Sequence, residues 1–365
     1  MKRILYIGWI GYGNLGDELM FDLFKQQCST LGDSYKLDST NVEYRYLKNI
    51  PTSEYDLIVL GGGSILSSID QIVHPYIINF LYDCLSSNKK VMLWGSGIDW
   101  VPRSAIAHLK DDKDIPLTLS EDMKARLVHV LQKSVWAGVR GPLTARILEQ
   151  CGARVYISGD PGFLLAQPDM LKEVNVPLDP RMHTASKIIG VNWGTSFNAI
   201  YGQDEVSVED ALANALNKFT KQGYLIYLYT VWKSDLPSIE RLYAKLHDKN
   251  SVILDKRPHH QDELISLLQS FTFTINFKLH ANYISLAANT PFIALGYRFK
   301  VFDFIHSVHL EDYIISTDDQ NIDGRLLSLE PLIIKNRDSI VEAMQAKQDM
   351  FRERIGKPFE DGLYL

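Results

Sequence analysis

The sequence predicts an α/β protein of two domains facing a cleft, and three observations support this. Short uninterrupted apolar runs recur, each followed by glycine or by a helical pattern. Such runs mark strands buried on both faces, as in parallel sheets covered by helices. The runs fall into two series separated by a proline-containing polar stretch, and 365 residues favour two domains over one. In two domains of this kind the default ligand site is the cleft at the carboxyl ends of their strands.

The first series is ILYIGWI, LIVLGGG, VMLWGSG, VWAGVR and VYISGD, and it assigns residues 1–165 to the first domain. Helices are expected at ELMFDLFKQQC and at GPLTARILEQCG, where Pro142 near the start and Gly152 at the end are boundary signals. Residues 166–186 carry three prolines and read as the interdomain connection. The second series, KIIGVNWG, YLIYLYTVW, VILD, FTINF, PFIALGY and YIIS, assigns 187–330 to the second domain, with helices at VEDALANALNKFTKQG and DELISLLQS. Residues 331–365 read as a mostly helical segment that packs back on the first domain.

Apolar residues make up 46% and charged residues 22%, an ordinary globular composition. A net charge of −6 supplies no basic field, which argues against duplex nucleic acid as the main partner. Three cysteines, Cys28, Cys84 and Cys151, lie far apart and form neither a metal spacing nor a disulfide framework. Buried thiols in a reducing cytoplasm are expected, and no metal. MKRILYIGWI reads as a first strand and not as a leader, since its apolar run is short and enters a glycine-rich loop. No apolar stretch approaches the roughly 20 residues a membrane-spanning helix needs.

That loop, GYGNLGDE, sits between the first strand and a helix expected to begin near Glu18 or Leu19. Gly11-x-Gly13-x-x-Gly16 fits a dinucleotide motif, but Asp17-Glu18 would face a pyrophosphate with the wrong sign. Asp17 is expected to cap the helix or to touch a substrate. LGGGSIL and WGSGI are two more glycine turns after strands; they either line a cleft that admits a sugar or allow tight strand-to-helix packing.

Arg140, at the carboxyl end of VWAGVR, is expected to bind a carboxylate or phosphate, or else to pair with Asp160. Asp160-Pro161 is expected to be structural. In the second domain FTINF runs into Lys278-Leu279-His280, and PFIALGY into Arg298-Phe299-Lys300. On an extended backbone Lys278 and His280 share one face. Arg140, Lys278, His280, Arg298 and Lys300 are thus expected to converge on one compact anion.

GYGNLGDE, LGGGSIL, VRGPLTARILEQCG, SGDPGFLL, KLHANYISLAANTPFIALGY and RFKVFDF, in this order, resemble the polysaccharide pyruvyl transferase family. The resemblance implies two Rossmann-like domains similar to GT-B glycosyltransferases. It also implies transfer of the enolpyruvyl-derived group of phosphoenolpyruvate onto two hydroxyls of a sugar in a surface polysaccharide precursor, with release of phosphate. Arg140, His280 and Lys300 align with family residues important to activity. The family commonly has Arg-x-His where this chain has Lys278-Leu279-His280, so the planar fork is lost and the charge kept.

On that resemblance phosphoenolpyruvate is a co-substrate and no cofactor is needed. Arg140, Lys278, Arg298 and Lys300 would bind this donor, with Arg140 on its carboxylate, and His280, titrating near neutrality, would serve as acid and base. Gly13, Asn14, Asp17, Glu18, Gly62, Gly63 and Ser64 would bind the acceptor. A lipid-linked acceptor would bring this cytoplasmic enzyme to the inner membrane leaflet, although no basic amphipathic segment marks such contact. The alternatives are a GT-B glycosyltransferase with a nucleotide-sugar donor and a non-catalytic glycan-binding relative.

Overall fold

Each of the apolar runs becomes a strand, and one edge strand joins them. The structure is a computed structural model that describes residues 1–13, 15–69, 71–171 and 176–365. Among these, twelve strands form two six-stranded sheets, parallel throughout. The chain divides into two units, Met1–Leu164 with Asp349–Leu365, and Leu165–Gln348. The stretch 166–186 thus falls with the second unit.

In the first unit the strands are β1 (Lys2–Gly8), β2 (Tyr35–Asn41), β3 (Leu57–Leu60), β4 (Lys90–Ser96), β5 (Trp136–Val139) and β6 (Tyr156–Ile157). They lie in the order β2-β1-β3-β4-β5-β6. The central strands β3 and β4 are buried almost end to end, whereas β2, at the edge, is YKLDSTN and mostly half-exposed. Its lack of an apolar run is why sequence periodicity passes over it.

In the second unit β7 (Ile188–Asn192), β8 (Leu225–Tyr229), β9 (Val252–Leu254), β10 (Phe273–Asn276), β11 (Phe292–Gly296) and β12 (Ile314–Ser316) take the order β12-β11-β10-β7-β8-β9. The first strand β7 is central and the sheet grows outward from it on both sides, as in dinucleotide folds. Strand order reverses between β1 and β3 in one sheet and between β7 and β10 in the other. Crevices at such points, outside the carboxyl ends of the strands, are where open α/β sheets bind ligands.

The last helix, Arg337–Glu360, contributes its final turns to the core of the first unit. Phe359 stacks edge-on against Phe24 (5.3 Å) and Trp94 (5.7 Å), and the Trp94 indole donates to the Ile355 carbonyl at 2.9 Å. Cys28, Cys84 and Cys151 are buried, and burial pushes the first two thiols up to about 12, so they behave as small apolar groups. No helix among the described residues is long and apolar enough to cross a membrane.

Phe359→Ala empties a site between two buried aromatics and is expected to cost about 3–5 kcal/mol. Urea unfolding followed by tryptophan fluorescence tests this; an unchanged midpoint would show that the terminal helix does not hold the first unit together.

Candidate functional site

At the reversal point of the second sheet the ends of β7, β10 and β11 are in register, with Asn276 opposite Asn192 and Ala294. Both asparagines are fully buried and anchor the turn out of β10. The Asn192 side-chain oxygen accepts the Lys278 amide (3.0 Å), and the Asn276 amide donates to Thr274 and Ser285 (3.0 Å each). Lys278 is the N-cap of helix Leu279–Ala287. The expectation of an extended Lys278-Leu279-His280 sharing one face is therefore corrected: the backbone turns helical between the two side chains.

The role expected of Lys278 is also revised. Its ammonium pairs with the fully buried Asp235 carboxylate at 3.2 Å, donates to the Thr195 carbonyl, and sits 5.0 Å above the Trp232 ring. Asp235 also accepts the Thr195 amide at 3.0 Å. Burial pushes the Asp235 carboxyl above the usual carboxylate range, against the opposing pull of Lys278. Gly194 leaves room for this: a Cβ there would lie 2.2 Å from the Asp235 carboxylate. Lysine suits the place because a compact point charge, not a planar fork, meets a single buried oxygen.

A second buried carboxylate closes the same loop. Glu205, first residue of helix Glu205–Lys221, accepts the Ser196 amide (2.5 Å), the Asn198 amide (3.2 Å) and the Thr195 hydroxyl (2.8 Å). Phe197 and Asn198 are held in the left-handed region (φ 54 and 58).

The remaining cations gather nearby. Phe277 and Tyr297 have ring centroids 4.5 Å apart; Lys278 lies 5.4 Å from the first, and Arg298 and Lys300 each 5.3 Å from the second. Three of the predicted donor residues are thus brought to one two-ring platform. Arg298 is the N-cap of helix Phe299–Val308, and neither this helix nor Leu279–Ala287 has a side-chain cap. Two helix N-termini with cations beside them favour an anion. His280, half-buried, stands in the first turn of the helix after β10.

In the first unit the helix after β1 starts at Leu15, earlier than expected, and Glu18 accepts amides of the loop. Its Oε1 accepts the amides of Gly11 (2.7 Å), Tyr12 (3.1 Å) and Gly13 (3.2 Å). The anion position offered by this glycine loop is filled by the chain's own carboxylate. Asp17 is half-buried beside Gly63, and Asn14 lies outside the described residues.

Gly62 and Gly63 are buried, and a Cβ on Gly62 would strike Pro161 at 2.6 Å. At Gly62, tight packing explains the glycine. Arg140 lies inside the first unit. Its guanidinium is fully buried, donating to Ser64 Oγ (3.0 Å) and the Ile98 carbonyl (2.7 Å), with Gly97 packed so close that a Cβ there would strike it. Asp160 accepts the Gly162 amide at 2.9 Å and shapes the turn through Pro161.

Sequence reasoning passes over Asp235 and Glu205, since a lone acid in a polar stretch gives no pattern. It also passes over Asp255, which ties Tyr227, Arg257 and His259 beside a cavity of about 260 Å³ lined by Pro177, Leu178 and Ile253. Burial pushes the Asp255 carboxyl up, but hydrogen bonds from His259, Arg257 and Tyr227 outweigh it and hold the carboxyl well below its usual range. No metal-holding group of His, Cys, Asp and Glu occurs among the described residues.

Lys278→Met leaves Asp235 buried without its cation and is expected to cost about 3–5 kcal/mol near neutral pH. Without the ammonium the folded-state pKa rises further above the unfolded value of about 4, so the loss shrinks as the pH falls toward that value. Urea titrations across this range test it; a loss that is absent, or equal at every pH, contradicts the pairing.

The fold has many solved counterparts. S. aureus MnaA, solved with UDP, is 10% identical and matches over all of this chain and 98% of its own, with a TM-score of 0.64. The UDP-GlcNAc 2-epimerase of Neisseria meningitidis, bound to UDP-GlcNAc, is 11% identical over 100% of both chains, with a TM-score of 0.58. The kitacinnamycin glycotransferase is 10% identical over 96% of this chain and 97% of its own, at 0.53. At such identities the likeness shows the fold alone, an α/β fold shared with GT-B glycosyltransferases and epimerases. No curated protein matches in sequence. The profile described as polysaccharide pyruvyl transferase matches residues 14–298, most of the chain, and the chain belongs to that family.

Proposed function

We propose that this transferase takes its three-carbon group from phosphoenolpyruvate and forms a cyclic ketal on two hydroxyls of a sugar in a polysaccharide precursor. The observation that carries the reading is the grouping of Arg298 and Lys300 on the Tyr297 ring at the start of helix Phe299–Val308, which has no side-chain cap. Phosphoenolpyruvate is small and carries both a carboxylate and a phosphate, so it needs several positive groups in little space. Arg298 and Lys300 with the helix amides supply them in the second unit. Lys278, whose charge Asp235 meets, orders the loop instead of holding the donor. Arg140, buried on Ser64, orders the Gly61–Ser64 turn.

In the reaction C3 of the enol phosphate gains a proton, leaving an oxocarbenium-like C2. A first sugar hydroxyl adds to C2. The bond from C2 to the phosphate oxygen then breaks, and a second hydroxyl closes the ring. Of the two hydroxyl protons, one balances the proton taken up at C3 and the other leaves with inorganic phosphate. His280 suits the proton transfers, and Lys300 with Arg298 would stabilise the departing phosphate.

Purified protein with phosphoenolpyruvate and a panel of glycosides is expected to release inorganic phosphate. His280→Ala should lower kcat by about 10²–10⁴ with an unchanged circular dichroism spectrum; near-normal turnover across the pH range would remove His280 from the chemistry. Lys300→Ala is expected to raise KM for phosphoenolpyruvate about 10- to 100-fold, the loss of one charge-assisted contact. In thermal melts phosphoenolpyruvate should stabilise the protein where UDP and GDP do not. The reverse result would favour a nucleotide-sugar donor.

A further inference from the structure

The four aromatic side chains Trp9, Tyr12, Tyr44 and Tyr46 are all well exposed, at 41–60%, and all lie just beyond the carboxyl ends of β1 and β2. Exposed large aromatics are otherwise sparse among the described residues, with Tyr156 and Phe197 the others. Leaving such rings in water forgoes the gain of burying them, so a cluster marks a contact surface.

The cluster is built and not merely loose. Trp9 and Tyr12 are stacked, with centroids 5.1 Å apart and planes 24° apart. The backbone beneath them is fixed by Glu18 on three amides, by the Asn41 side chain donating to the Ile10 carbonyl (2.6 Å), and by positive φ at Gly11 (95) and Gly13 (63). Only glycine adopts such φ values at little cost. The Tyr12 hydroxyl donates to Glu43 (2.7 Å) and accepts from Arg45 (3.2 Å); Arg45 in turn pairs with Glu43 (2.6 Å) and lies 4.8 Å over the Tyr46 ring.

We infer that this surface is a sugar-binding platform: the Trp9–Tyr12 stack takes the apolar C–H face of a pyranose ring, and Glu43 with Arg45 takes its hydroxyls. Flat rings with polar edges match a sugar, which is apolar on its ring faces and polar around its rim. A purely apolar protein partner would not call for a carboxylate–guanidinium pair in the middle of the patch. Rigid aromatics also lose little entropy on binding. The inference rests on the reading of the protein as a sugar-modifying transferase and assigns its acceptor contacts to Trp9, Tyr12, Glu43 and Arg45, of which only Tyr12 falls within a motif.

The test uses the full chain labelled with 5-fluorotryptophan, with the Trp9 fluorine resonance assigned through Trp9→Phe. Without donor, the protein is titrated to roughly 10 mM, where millimolar binding is visible, with methyl pyranosides of glucose, galactose, mannose and their N-acetylamino forms. Phosphatidylcholine–phosphatidylglycerol vesicles serve as a comparison. The Trp9 resonance is expected to shift saturably with at least one glycoside, and Tyr12→Ala should abolish the shift while the thermal midpoint stays unchanged. A Trp9 resonance that no glycoside moves, or that only vesicles move, overturns the inference.

In turnover assays Trp9→Ala should raise KM for the acceptor about tenfold, with KM for phosphoenolpyruvate unchanged. An unaltered acceptor KM in a protein that does release phosphate sinks the platform alone. A saturable Trp9 shift in a protein that never releases phosphate sinks the pyruvyl-transfer reading alone.

Discussion

The carboxyl end of the second sheet is held by one buried ion pair, Lys278 with Asp235. Three elements meet in it: the loop after β7, through the Thr195 amide and carbonyl; the 3₁₀ turn Lys233–Asp235; and the junction of β10 with its helix. A fully buried carboxylate is costly unless it is paired and hydrogen-bonded, so the three can only settle together. Their agreement sets where the helix after β10 starts and hence where His280 stands. Lys278 is held by Asp235, and Arg298 and Lys300 stand on the far ring of the Phe277–Tyr297 pair.

Both units solve one problem in the same way. The loop after the first strand of each sheet turns its amides inward, and a glutamate from the first turn of the next helix accepts them: Glu18 in one, Glu205 in the other. A glycine-rich loop at a helix start is a ready anion site. Here the chain supplies the anion itself, which closes both loops to phosphate and frees them to carry aromatics, Trp9 and Tyr12 in one and Phe197 in the other.

The architecture was legible because buried parallel strands write themselves as apolar runs, and eleven of the twelve strands among the described residues announce themselves in that way. The exception, β2, is an edge strand of YKLDSTN, where one-sided exposure dilutes the signal. The positive residues at these strand ends were legible as well, since Lys278, Arg298 and Lys300 all come directly after apolar runs. The pairing of Lys278 was not, because it depends on Asp235, an acid that reaches Lys278 from 43 residues away in the chain (278 − 235). Arg140 shows the same limit: its place at a strand end is plain in the sequence, but its burial against Gly97 and Ser64 is a matter of tertiary packing. The exposed aromatics escaped notice because exposure has no one-residue signature.

The central claim is that a phosphorylated three-carbon acid binds in the second unit, where the helices starting at Leu279 and Phe299 begin. A crystal structure of the full chain with phosphoenolpyruvate or a non-reactive analogue tests it most directly. The phosphate is expected within hydrogen-bond reach of Arg298 or Lys300, with Lys278 still on Asp235. A donor seated in the loop of the first unit, in the cavity beside Asp255, or on a Lys278 that has left Asp235, would contradict it.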